Sequence, residues 1–167
     1  MPTPLNRRRR LSDATCRSRR NLGMTRSMSP HLSQQLYSIW PSIFAERALS
    51  RDDSAMAWGI ACGDGWFPLI DALCRCLQRE TDDGAPQVVA RQVKEKLGRL
   101  RFHVGFAAGD ASPRQRAMIS MAEELSSRVC ETCGGWKRSA FGAADEVPPH
   151  CTCVQDRPLG HEPTPPD

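Results

Sequence analysis

Read for apolar positions alone, the chain is silent until about residue 28 and periodic after it. Leu32, Leu36, Ile39, Trp40 and Phe44 recur at the spacing of one helix face. Ser29 and Pro30 suit a helix cap and first residue, and Pro41 must kink or end that helix. Residues 46–55 are polar and read as a loop. Ala57–Cys62 is apolar and predicts a short strand, closed by the turn signal Gly63-Asp64-Gly65. A second helix is predicted from about Trp66 to Gln78. Its buried face is Trp66, Ile70, Leu73, Cys74 and Leu77, and Pro68 is compatible only in its first turn. Thr81 to Pro86 reads as another loop.

Residues 87–105 carry two periods at once. Val89, Val93 and Leu97 share a helix face with Gly98 as its stop, and the same residues alternate as a strand. Leu100, Phe102 and Val104 then alternate with Arg99, Arg101 and His103, a plain strand pattern. A hairpin turning near Gly98 reconciles both halves. The third helix is marked by Ser112 and Gln115, a capping box around Pro113. Met118, Met121, Ala122, Leu125 and Val129 form its expected buried stripe. These elements predict an α+β fold, a small domain of about three helices with a short β-hairpin. The expected organisation is a basic tail over 1–27, a core over 28–128, a cysteine-bearing knuckle over 129–155 and a tail over 156–167.

Charge alters the picture at the N-terminus. Residues 1–27 hold eight arginines and one acid, Asp13, while the remaining residues hold 15 basic and 18 acidic side chains. The overall +4 is thus a property of the tail, and the core lacks the basic surplus of a nucleic-acid-binding domain. The tail can contact phosphates without reading sequence. Its near-absence of apolar residues predicts disorder, and Met24 or Met28 is an alternative start. Its Arg- and Ser-rich, acid-poor composition is also that of an organellar transit peptide. No stretch approaches the roughly 20 apolar residues of a membrane span, and no apolar run follows the basic start as in a secretory signal. A cytoplasmic location is expected.

Eight cysteines without a secretory context argue against a disulfide framework. The sequence Cys130-Glu131-Thr132-Cys133-Gly134-Gly135 is the strongest chemical signal. A CxxCG turn directs backbone amides towards two thiolates, which can meet one zinc ion at about 2.3 Å. Cys151 and Cys153 complete a tetrahedral structural zinc site, with His150 as an alternative ligand. Trp136 and Phe141, between the pairs, are candidate packing groups. A redox role is weaker, because the motif follows a helix and not a strand.

Other residues have both a functional and a plain reading. Asp64 and Asp71 are candidate paired carboxylates, as in a metal-dependent nuclease. The plainer reading gives Asp64 a turn and Asp71 a solvated helix face. His103 is a strand residue before it is a base. Cys62, Cys74 and Cys76 read as small buried or half-buried residues. Lys94, Lys96, Arg99 and Arg101 form a basic cluster that is either a solvated face or a weak binding surface. No Ser-His-Asp set, phosphate-binding glycine loop or HExxH occurs, and no small-molecule substrate is evident.

Trp40-Pro41-Ser42-Ile43-Phe44, the run Trp58 to Phe67 with its CGDGW core, PQVVARQVKEKLGRLRFHV from Pro86 to Val104, and Ile119 to Gly134 ending in CETCG together resemble a family of small, uncharacterised phage and prophage proteins. The resemblance spans roughly residues 31–135. It implies a cytoplasmic protein of the host bacterium with a CxxCG knuckle after a helix, and it favours Met28 as the natural start. Here the segment after the knuckle is longer, rich in Ala and Pro, and ends in CTC, which is the departure from that pattern. The expected function is that of an accessory protein that binds a host or phage macromolecule. A nucleic-acid-binding regulator using the knuckle and the Arg-rich tail is the alternative, and a metal-dependent nuclease comes third.

Overall fold

The computed structural model describes residues 27–107 and 109–137. Helix α1 spans Pro30–Ile39, and Pro41 ends it as the sequence predicts. Two short 3-10 turns follow, Ala45–Ala48 and Ala55–Trp58, and a third, Asp64–Trp66, leads into α2, Phe67–Asp82. Pro68 lies in the first turn of α2, where no amide hydrogen is needed. The helix outlasts its expected end at Gln78 by one turn. Thr81 Oγ1 donates to Leu77 O at 3.1 Å, and Gln78 Nε2 donates to Asp82 Oδ1 at 3.0 Å.

Strands β1 (Val88–Lys96) and β2 (Arg99–Phe106) form the predicted antiparallel hairpin. Its two-residue loop is Leu97-Gly98, with φ of 55° and 77°. Two successive positive φ values define the turn whose twist matches a hairpin, and they ordinarily select Asn-Gly. The alternation expected of β1 is broken midway. Ala90 faces Val104 but Gln92 faces His103, so Arg91 is a bulge. The bulge puts Val88, Ala90 and Val93 on the buried face, and Leu97 ends up 88% exposed at the tip.

Both edges of this two-stranded sheet are occupied. On the β1 side, Ala90 N donates to Ile43 O at 2.7 Å. Ala61 N donates to Val93 O, and Glu95 N to Ala61 O, both at 2.9 Å. The strand expected at Ala57–Cys62 is therefore a 3-10 turn followed by a single parallel bridge, Ala61 to Lys94. Gly59, at φ +85°, separates the two. On the β2 side, helix α3 (Pro113–Ser126) supplies side chains instead of backbone. Ser126 Oγ accepts from Leu100 N at 2.7 Å, and Glu123 Oε1 accepts from Phe102 N at 2.9 Å.

This arrangement explains why the stripe expected for α3 is partly wrong. Met121 is 64% exposed, and the buried positions are Gln115, Ala122 and Ser126. A helix that covers a strand edge must offer polar atoms to the unpaired amides. The capping box forms as predicted, with Gln115 also donating to Pro86 O at 2.8 Å from a fully buried site. The core lies between α2, the hairpin and α1, with Trp66, Ile70, Leu77, Leu100, Phe102 and Leu36 fully enclosed. The predicted α2 face is buried at every position. Among the described residues, no helix is long and apolar enough to cross a membrane.

Candidate functional site

The CxxCG segment is a small turn of its own. Val129 bridges Trp136 in antiparallel fashion, Cys130 N donates to Gly135 O at 2.7 Å, and Gly134 N returns to Cys130 O at 2.8 Å. Gly134 has φ +74°, a conformation that a side chain opposes. Cys130 is buried and Cys133 is exposed, so the knuckle presents one thiol from beneath and one from its rim.

The knuckle is seated on the CGDGW segment. Gly63 N donates to Glu131 Oε1 at 2.7 Å, Gly65 N donates to Glu131 O at 2.8 Å, and the Trp66 indole donates to Val129 O at 3.0 Å. A Cβ on Gly65 would run into the backbone of Cys130, Cys133 and Gly134. Backbone thus lies directly on backbone, which is the physical reason two glycine-containing motifs far apart in sequence occur together.

Cys130 and Cys133 are the two expected zinc ligands that lie within the described residues. Cys151, Cys153 and His150 lie outside the described residues. Among the described residues, no three His, Cys, Asp or Glu side chains cluster to hold a metal. Cys62 and Cys74 lie buried in the core. Burial pushes the Cys62 thiol well up, with Glu131, Asp64 and Glu95 adding to it. Burial likewise raises Cys74, beside Asp71. Both stay protonated and behave as small apolar residues, while Cys76 is exposed on α2.

The candidate carboxylates have separate partners. Asp64 Oδ1 accepts from Ser29 N at 2.6 Å, tying the loop before α2 to the start of α1. Asp71 is less solvated than its expected place on an open helix face. Its Oδ1 accepts from the Trp40 indole at 2.9 Å, and its Oδ2 pairs with Arg75 at 3.1 Å. His103 is exposed on β2.

The basic cluster is brought together by the hairpin register, Lys94 opposite Arg101 and Lys96 opposite Arg99. Two of its members are engaged by α3: Arg99 pairs with Glu124 at 2.9 Å and Arg101 with Glu123 at 3.2 Å. Lys94 and Lys96 remain as the outward charges of that face.

A second feature had no place in the sequence reading. Between α1 and the two 3-10 turns lies an open cleft of about 260 Å³. Its floor is Met28 and Ile60, both buried, and its rim includes Tyr37, Arg47 and Trp58. The Arg47 guanidinium lies 4.4 Å from the centre of the Tyr37 ring, and Arg51 lies 4.3 Å from that of Trp58. Trp58 is 68% exposed. The turns that carry these groups are fixed by Glu46, which accepts from Ser54 Oγ at 2.8 Å and pairs with Arg91, the bulge residue, at 3.2 Å. The polar stretch 46–55 and the short apolar run after it gave no periodic signal for this site. The only hint in the sequence is Arg47 and Arg51 flanked by Tyr37 and Trp58.

Comparison of the chain with protein-family models, with curated proteins and with solved structures finds no match.

Proposed function

We propose that this chain is a binding protein, an accessory factor of the phage and prophage type that acts by docking on a macromolecular partner. The observation that carries the reading is the exposed Trp58 with Arg51 stacked on it, beside a cleft framed by Tyr37 and Arg47. Trp, Tyr and Arg dominate the energetics of protein interfaces because each combines a large contact area with a polar tip. An exposed indole held in place by a guanidinium gains little in the isolated protein beyond a weak cation–π contact. It gains much more when a partner covers it.

The knuckle serves this function as structure. Cys130 and Cys133, with Cys151 and Cys153 or His150, hold one zinc ion. When bound, the ion would supply folding energy to a segment with little core of its own. Four protein ligands leave no coordination position for a reacting water. Asp64 and Asp71 support the same reading, since each is bonded to a group that positions α1 or its end. The site of action is the cytoplasm of a host bacterium.

A nucleic-acid-binding role is the second reading. It is favoured by the register that sets Lys94, Lys96, Arg99 and Arg101 on one ribbon. Salt separates the two, because phosphate binding weakens steeply with ionic strength.

The test is capture of partners by the tagged full chain from its native host, repeated with Trp58→Ala and with Lys94→Ala/Lys96→Ala. The proposal expects a protein partner that is lost with Trp58→Ala and retained at elevated salt. A partner retained by Trp58→Ala but lost with the lysine pair, or shed at moderate salt, would favour the second reading. Metal analysis of protein purified under reducing conditions without chelator should find about one zinc per chain. Finding none removes the metal from the proposal.

A further inference from the structure

Resting on the binding reading above, we infer that the cleft between α1 and the 3-10 turns takes a peptide segment of the partner in which an apolar side chain stands close to a carboxylate. The shape of the site sets the first half of this ligand. Met28 and Ile60 give an apolar floor, and the space of about 260 Å³ admits one or two side chains and not a folded element. Burying an aliphatic or aromatic side chain there removes apolar surface from water on both partners.

Charge sets the second half. Among the described residues, Arg47 is the one charged residue that lines the cleft, and no carboxylate lines it. Arg51 adds a second positive group at the Trp58 rim. Two acids of the neighbouring turns are held by other groups. Glu46 is held by Ser54 and Arg91, and Asp53 accepts from Ser50 Oγ at 2.6 Å. The Arg47 guanidinium carbon lies over the Tyr37 ring, 4.4 Å from its centre. A guanidinium carries its N–H groups in a planar fork that can receive a carboxylate through two parallel hydrogen bonds. A lysine-rich segment would be repelled by the same pair.

The same contacts make single-stranded nucleic acid the poorer fit. Bases bind such sites by stacking on aromatic faces, and a backbone is followed by a row of cations. Here one face of each ring already carries a guanidinium. Among the described residues the rim offers two arginines, Arg47 and Arg51, which is too few to follow a nucleic-acid backbone.

The inference is tested by sorting a bead-displayed library of random heptapeptides against the full chain, then measuring selected peptides by fluorescence anisotropy. Selected peptides should carry an apolar residue within two positions of an Asp or Glu. Their affinity should fall at least tenfold with Trp58→Ala and with Arg47→Glu. Peptides with the acid replaced by lysine should bind Arg47→Glu more tightly than they bind the wild type. Both side chains project into solvent, and unchanged circular dichroism and melting temperature will show that the variants fold.

Selection without acidic enrichment, or equal binding by Arg47→Glu, overturns the inference. So does a 20-nucleotide oligo-dT that binds in a Trp58-dependent way. Displacement of the selected peptides by a synthetic peptide of residues 1–26 would make the chain's own N-terminal segment the occupant and would also overturn it. If acidic peptides fail while capture of the native partner still depends on Trp58, the peptide chemistry is wrong and the binding reading stands. If capture is indifferent to Trp58, the binding reading itself fails.

Discussion

Replacing Gly65 by alanine strikes the contact between the two glycine-containing motifs and nothing else. The added methyl would be aimed at backbone atoms of Cys130, Cys133 and Gly134, which cannot rotate away as a side chain can. The loops must therefore separate by an ångström or more. Separation lengthens Gly65 N to Glu131 O, now 2.8 Å, and strains Gly63 N to Glu131 Oε1 and the Trp66 indole to Val129 O. One hydrogen bond lost is worth about 1 kcal/mol, and overpacking a tight contact costs about 1–3 kcal/mol. A total of about 2–4 kcal/mol follows, or a fall in melting temperature of roughly 8–16 °C at about 4 °C per kcal/mol. Thermal unfolding followed by circular dichroism measures this directly. If the knuckle holds zinc as proposed, chelator competition should also show weaker retention of it, because the knuckle loses the surface on which it sits. A Gly65→Ala protein that melts within 2 °C of wild type would show that the motifs are neighbours without mutual support, and would refute the reasoning.

Four further substitutions probe the rest of the fold. Ser126→Ala leaves Leu100 N without its 2.7 Å acceptor in a buried site, and urea denaturation should show a loss of about 1–3 kcal/mol. Leu97→Asn places a residue tolerant of positive φ at the hairpin tip. It should stabilise the protein by up to about 1 kcal/mol, with no loss of core packing since Leu97 points into water. Cys62 and Cys74 have thiols raised above their ordinary value in the folded state, so the unfolded chain loses those protons first as pH rises. Stability is therefore unaffected by them at neutral pH and declines above about pH 9, by up to about 1.4 kcal/mol per pH unit for each thiol. The slope of melting temperature against pH between 8.5 and 10.5 should be shallower in Cys62→Ala and Cys74→Ala than in wild type.

The elements that could be read from the chain are those whose pattern is set by one dominant interface. Helix α2 buries a single stripe, so Trp66, Ile70, Leu73, Cys74 and Leu77 identify it in sequence and in space alike. The capping box at Ser112 and Gln115 is a local device, and local devices survive translation into structure. The hairpin turned where Gly98 indicated. What the pattern could not convey is the bulge at Arg91, because an extra residue in one strand shifts the buried face without altering composition. Met121 was misplaced for a related reason. A helix laid along a strand edge needs Ser126 and Glu123 inward as acceptors, and a search for apolar periodicity discards polar residues at the start.

The candidate site divides along the same line. The CxxCG turn is legible because it is a local device, and the turn at Cys130 to Gly134 forms. The cleft had no such signature, since its residues come from a helix and two 3-10 turns that no period connects. Yet the two parts are joined by bonded atoms. Glu131 of the knuckle holds Gly63, and the next residue, Asp64, holds Ser29 N at the head of α1. Met28, one residue earlier, donates its N–H to Ile60 O at 3.1 Å, and these two residues are the floor of the cleft. A loosened knuckle would act through these bonds on the 63–65 loop, the start of α1 and one wall of the cleft. The knuckle is thus the brace of the surface proposed to bind, and the zinc ion proposed there would bear on function through these bonds.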